Sequence, residues 1–240
     1  MDDSTGTRKR TKVIGLIGGL SWESSAEYYR LINELVREKL GGLHSADCVM
    51  TSFDFAEIEA LQSAGQWDEA TRRMIDAAQR IERAGAELVL ICSNTMHKMA
   101  EEVQRNIKIP LLHIADATAE QIVTRKLRRI GLLGTRFTME EDFYKGRLTD
   151  KYGLDILVPD VDGRHIVNSV IYDELVRGKI EPQSKHQYIR IMQDLVANGA
   201  EGIILGCTEI TLLVNQQDCQ VPLFDTTAIH AQVAVERALA

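Results

Sequence analysis

The chain has only four cysteines in 240 residues, Cys48, Cys92, Cys207 and Cys219. None falls in a C-x-x-C pair or at the spacing of a Cys/His zinc cluster, so no metal site is expected. In a reducing compartment the four are free thiols, each an inert core residue or a nucleophile or base. No run of about 18 apolar residues occurs, so no transmembrane helix is expected. The N-terminus shows no apolar segment of a secretory signal, and the expected location is the cytoplasm. Excess positive charge is missing as well. With 28 Lys and Arg against 35 Asp and Glu the net charge is −7, and no nucleic-acid partner is expected, because such binding rests on clustered cations. The one basic cluster, Arg8-Lys9-Arg10 with Lys12, lies in a polar tail, residues 1–12, read as disordered.

What is present is a composition of 45% hydrophobic and 26% charged residues, that of a soluble globular protein with enough chain to bury a core. Residues 13–20, VIGLIGGL, read as a buried strand running into a glycine turn. A helix follows, with Ser24 and Glu27 as a capping box, one face of Tyr28, Leu31, Ile32, Leu35, Val36 and Leu40, and Gly41 as its stop. Next come a strand over 47–53, a helix burying Met74, Ala77, Ala78 and Ile81, and the strand ELVLI, read as ending at Cys92. Strands alternating with helices predict a parallel sheet covered on both faces.

The series then repeats. RRIGLLGT (128–135) echoes TKVIGLIG, and NGAEGIILGCTEI (198–210) echoes AGAELVLICSNTM. Gly15 and Gly85 lie 70 residues apart and Gly131 and Gly199 lie 68 apart, while Pro110 and Pro222 close the two series 112 residues apart. The predicted fold is therefore α/β with two pseudo-symmetric, doubly wound lobes, each a short parallel sheet flanked by helices. The first lobe is drawn over 1–116 and the second over 117–224. A last helix over 225–240 is free to pack back on the first.

In open parallel sheets ligands bind beyond the carboxyl ends of the strands. Counting eight residues from Gly85 and from Gly199 reaches Ser93 and Cys207, which are therefore pseudo-symmetric mates; Cys92 matches Gly206 instead. A thiol at a strand-to-helix junction is expected to ionise more readily than a free one and to serve as a base, the alternative being a small buried hydrophobe. Asn94, Thr95, Thr135 and Thr208 offer donors to a small anionic ligand, or else cap the helices that follow. Glu209 is placed to orient a neighbour or take a proton, and His97 reads as a surface or capping histidine as readily as a site residue. The turn GLIGGLSW lacks G-x-G-x-x-G spacing and a G-K-[ST]. Close approach of Gly19 and Leu20 to a small ligand, or a plain tight turn, are its two readings.

These pieces carry a resemblance. IGLIGGLSWESS, SNTMH, HIADAT (113–118), GLLGTRFTMEEDFY (131–144) and GCTEI (206–210) span the chain in order. Together they resemble the aspartate/glutamate racemase family of cofactor-independent amino acid racemases, most of all its broad-specificity or L-aspartate/L-glutamate branch. The resemblance implies an isomerase of amino acids, usually a homodimer, with its active site in the cleft between lobes. It implies two facing cysteines that take and return the α-proton, and no pyridoxal phosphate or metal. The second cysteine falls on Cys207 and its threonine on Thr208, but the first falls on Ser93. A hydroxyl without a base cannot act as a thiolate near neutral pH. The consequences held open are an asymmetric racemase, rescue by Cys92 turned into the cleft, a one-thiol decarboxylase, and a binding protein for a dicarboxylic amino acid. Arg136, Arg164, Arg177 and Lys179 are candidates for a distal carboxylate. Val176 stands about where the resemblance calls for a lysine, which leaves room for neutral substrates such as homoserine. Cys48 and Cys219 are read as structural.

Overall fold

The computed structural model describes residues 10–240. Arg8, Lys9 and most of the tail read as disordered lie outside the described residues. Arg10 and Lys12 lie inside and are tied down: Arg10 pairs with Glu87 at 2.9 Å, and the Lys12 backbone N–H donates to the Ala238 carbonyl at 3.0 Å.

Two parallel four-stranded sheets form the frame. The first contains β1 (Ile14–Gly18), β2 (Cys48–Ser52), β3 (Leu88–Ile91) and β4 (Leu111–Leu112) in the order β2-β1-β3-β4. The second contains β5 (Arg129–Gly134), β6 (Asp155–Leu157), β7 (Gly202–Gly206) and β8 (Leu223–Asp225) in the order β6-β5-β7-β8. The central strands β1, β3 and β7 are buried along their whole length, as apolar runs covered on both faces must be, whereas β2 and β6 are partly exposed edges. Each sheet reverses its winding between its first and third strands, which opens a crevice at their carboxyl ends.

The helices are α1 (Trp22–Leu40), α2 (Phe55–Ser63), α3 (Trp67–Arg83), α4 (Ala100–Arg105) and α5 (Ile114–Thr124), then α6 (Arg136–Glu140), α7 (Asp142–Gly146), α8 (Val161–Asp173), α9 (Pro182–Ala197), α10 (Ile210–Leu213) and α11 (Thr226–Leu239). The face of α3 is as its period predicts, with Met74, Ala77, Ala78 and Ile81 all buried. The start of α1 differs from the expectation. Ser21, not Ser24, is the N-cap and accepts from the Ser24 N–H, while Glu27 pairs with Arg30. The helix begins one residue after Ser21, so Ser24 lies in its first turn and its hydroxyl is free to point elsewhere.

Two helices leave the sheet whose strands precede them. After β4, α5 packs Ile114, Ala115, Ala119 and Ile122 against Ile130, Leu132 and Ile204 of the second sheet. After β8, α11 packs Ala231, Ala234 and Val235 against Ile14, Leu16 and Leu90 of the first, and against Tyr28, Ile32 and Val36 of α1. Each sheet is thus closed on one face by a helix that follows the other sheet's last strand.

Candidate active site

The carboxyl ends of the two sheets meet around an inner chamber of about 40 Å³. Leu20, Asn94, Thr95, Thr135, Thr208, Ser93 and Cys207 all line it. Gly19 does not. Its φ of +71° and the absence of a side chain serve the chain itself, since a Cβ there would sit 2.2 Å from the Phe53 backbone N and O. Its N–H donates to Ser25 Oγ at 2.8 Å. The tight approach expected for a ligand is therefore made to the segment after β2. Ser21, Ser24, Gln62 and Tyr172 also line the chamber; of these only Ser24 carried a local signal, as a helix-start residue.

Phe55, Gln62, Tyr172 and Val176 line both this chamber and a larger outer one of about 690 Å³, to which Arg136 and Arg177 contribute together with Glu59 and Asp173. Arg164 lines neither, being held by Glu140 and the Pro159 carbonyl. Lys179 lines neither as well.

Cys207 follows β7 and is 9% exposed. Its Sγ–H donates to Glu209 Oε2 at 3.0 Å. Burial, then the Glu209 charge and that hydrogen bond, push the thiol well above its ordinary range, against the pull of the Thr208 and Glu209 backbone N–H groups. This reverses the sequence expectation of a readily ionised thiol. The helix that follows, α10, has four residues, too short to outweigh an adjacent carboxylate. Glu209 Oε1 accepts from Ser21 Oγ at 2.6 Å and Ser24 Oγ at 3.3 Å, so the loop after β1 in the first sheet reaches across to the thiol's partner.

Ser93 follows β3. Its Oγ accepts a long contact, 3.4 Å, from the Met96 N–H. His97 is buried and anchors the Ser93 backbone: Nδ1–H donates to the Ser93 carbonyl at 2.7 Å and Nε2 accepts from the Ile114 N–H at 3.2 Å. Both partners have fixed roles, so the neutral tautomer with hydrogen on Nδ1 follows. His97 is thus neither a surface residue nor a chamber residue.

Cys92 is fully buried in the core shared by Tyr28 and α11 and does not line the chamber. Burial pushes its thiol well up. The strand ends at Ile91, one residue before the expected Cys92, and the burial of Cys92 in that core, away from the chamber, speaks against its turning into the cleft.

Polar bridges at three points join the two sheets' loops here: Ser21 and Ser24 with Glu209, Thr95 Oγ1 with Thr135 Oγ1 at 2.8 Å, and Asn94 Nδ2 with Thr226 Oγ1 at 3.0 Å. Thr226 in turn donates to the Leu205 carbonyl, which makes it the acceptor from Asn94 and fixes the amide's orientation. Asn94 Oδ1 is left buried without a partner, an arrangement that costs about 1–3 kcal/mol unless a donor arrives. Thr135 also caps α6, accepting from the Thr138 N–H, so capping and chamber lining coincide in one residue.

Two repeated α/β units that bring equivalent loop residues, a thiol and a hydroxyl, to one small chamber define a protein equipped to address a single small ligand from two sides. The family described as Asp/Glu/Hydantoin racemase matches residues 17–234, and the chain belongs to it. These relatives are isomerases. The chain is 25% identical over 173 residues to the broad specificity amino-acid racemase RacX of Bacillus subtilis, covering 72% of this chain and 74% of that protein. Among solved structures it is similar to a candidate Asp/Glu racemase from Yersinia pestis, with 53% identity, a TM-score of 0.91 and coverage of 95% of this chain and 100% of that one. It is also similar to PH1733, an aspartate racemase homologue from Pyrococcus horikoshii, with 37% identity, a TM-score of 0.82 and coverage of 95% and 99%.

Proposed function

We propose that the protein is an amino acid racemase working without pyridoxal phosphate or metal, in which Cys207 and Ser93 address opposite faces of the substrate's α-carbon. The observation that carries this reading is that both line one chamber although they come from equivalent points of the repeat. Racemisation needs that arrangement: a proton leaves one face, a planar carbanion forms, and a proton arrives on the other. Asn94 Oδ1, the unpartnered acceptor, is suited to the substrate's α-ammonium. Thr95, Thr135 and Thr208 supply hydroxyl donors for its carboxylate, where charge grows as the α-proton departs.

The two faces are unequal. No base is bonded to the Ser93 hydroxyl among the described residues, so we infer an asymmetric enzyme in which Cys207 serves one enantiomer well and Ser93, through water, serves the other slowly. Among the described residues Glu209 is the only charged side chain lining the inner chamber, and the cations Arg136 and Arg177 line the outer one. This supports a substrate whose side chain is neutral or extends outward past Phe55 and Tyr172. We extend the reading to a cytoplasmic homodimer, as the resemblance implies.

The test is α-hydrogen exchange in deuterated water with the L and D forms of aspartate, glutamate and homoserine. Exchange accompanied by optical inversion is expected, faster from one enantiomer, abolished by Cys207→Ala, and raised about tenfold or more in the slow direction by Ser93→Cys. Exchange from one enantiomer without inversion would replace this reading with a one-thiol enzyme such as a decarboxylase. Tight binding without exchange would leave a binding protein.

A further inference from the structure

Among the described residues Glu209 is the only carboxylate lining the inner chamber; it is 5% exposed and is met by three donors. One is the Cys207 thiol, on Oε2; the other two, Ser21 and Ser24 on Oε1, come from the opposite sheet's loop, 188 and 185 residues away in sequence. Ten residues past Gly199 lies Glu209, and ten past Gly85 lies Thr95, so these two are mates of the repeat. Thr95 makes the equivalent crossing, to Thr135. The repeat therefore builds a crossing bond on both sides, and on one side a hydroxyl suffices for it. A carboxylate is found only where a thiol is its neighbour.

We propose that Glu209 receives the Cys207 proton, and that Ser21 and Ser24 control this transfer from the other lobe, so that the thiol and thiolate forms follow the contact between lobes. The proposal rests on Cys207 being the reacting thiol, as read above. In the step the S–H bond breaks with its electron pair left on sulfur, an O–H bond forms at Oε2, and the pair keeps a single negative charge. The Thr208 and Glu209 backbone N–H groups hold the resulting thiolate. Hydroxyls donating to Oε1 stabilise the carboxylate and so keep the proton on sulfur; when the lobes part and the serines withdraw, the carboxylate becomes the better proton acceptor. Two other titratable groups lie near enough to feel the charge of the sulfur, Tyr172 on α8 and Tyr188 on α9, the latter donating its hydroxyl to the Val167 carbonyl. Burial holds both phenols neutral, so neither competes as an acceptor.

The experiment is iodoacetamide labelling of the intact protein across about pH 6 to 10, with the Cys207 peptide followed by mass. In Glu209→Gln the titration of labelling is expected to move to lower pH, with labelling near pH 8 raised about tenfold by loss of the adjacent charge, while α-hydrogen exchange falls about 100-fold. Ser24→Ala, which leaves the α1 cap intact, is expected to raise labelling near neutral pH severalfold, and Ser21→Ala with Ser24→Ala more so. Ser21→Thr, which keeps cap and hydroxyl, is expected to label as the unaltered protein does. A Glu209→Gln profile that coincides with the unaltered one, or one raised by the same factor at every pH as altered access would give, overturns the proposal. Labelling needs no substrate. A shifted profile in a protein that exchanges no amino acid would therefore retire the racemase reading and leave the Cys207–Glu209 pair standing.

Discussion

Ser93 and Cys207 are found by counting, because a repeated GAE fixes how far each lies from the start of a motif. The state of the thiol is not found that way. It depends on Glu209 turning toward sulfur and on two serines that no local pattern connects to it. Gly19 teaches the same lesson from the other direction. A glycine in a turn announces a close approach but not what is approached, and here it is the backbone of Phe53. Gly19→Ala would place a methyl group 2.2 Å from that backbone at a φ that L residues rarely adopt. A loss of about 2 kcal/mol or more is expected, with a melting temperature lower by several degrees in calorimetry. An unchanged melting temperature would mean that the turn relaxes freely.

At the scale of elements, β1, β3, β5 and β7 are legible because a parallel strand covered on both faces is a run of apolar residues and little else looks like it. The short pieces α6, α7 and the π-helical turn Arg147–Lys151 that follows them have no such period, and their shape is decided by what they pack on. The junction of α5, α11 and the 3-10 turn Thr95–Met99 likewise rests on residues distant in sequence. There His97, His113 and His230 lie together, with ring centroids 4.6 and 5.7 Å from His97. His230 donates through Nε2 to the Leu112 carbonyl and accepts at Nδ1 from Tyr28. Burial lowers all three, His97 to about 4 and His230 to about 3, with His113 lower still and facing Arg147 and Asp116. An unfolded chain takes protons on these rings near pH 6.5, the folded one only far below it. Their contribution to stability is therefore complete above pH 6.5 and drains away as pH falls toward 4. Between pH 7 and pH 5 denaturant titration should show a loss on the order of 2 kcal/mol from His97 alone. His97→Gln should flatten that dependence; an equal slope in the variant would assign the loss to other groups.

For the whole molecule the exchange of α5 and α11 matters most. The repeat announces two similar units, and each unit's sheet is nevertheless closed by a helix that follows the strands of the other. A repeated sequence does not reveal such an exchange, because the helix looks the same whichever sheet it covers. The two sheets should unfold as one cooperative unit, giving a single calorimetric transition whose van't Hoff and calorimetric enthalpies agree. Two resolved transitions would show that the lobes are independent after all.

The inner chamber, at about 40 Å³, holds a water molecule or two, while small-molecule pockets usually run to several hundred Å³. On the proposed reading an amino acid therefore needs the chamber to widen, against the polar bridges Ser21–Glu209, Thr95–Thr135 and Asn94–Thr226 that cross it. Each turnover on the proposed reading is then a mechanical cycle of opening and reclosing wrapped around two proton transfers. In such a cycle the polar bridges across the chamber have to yield and re-form as surely as the α-carbon's bond to hydrogen does.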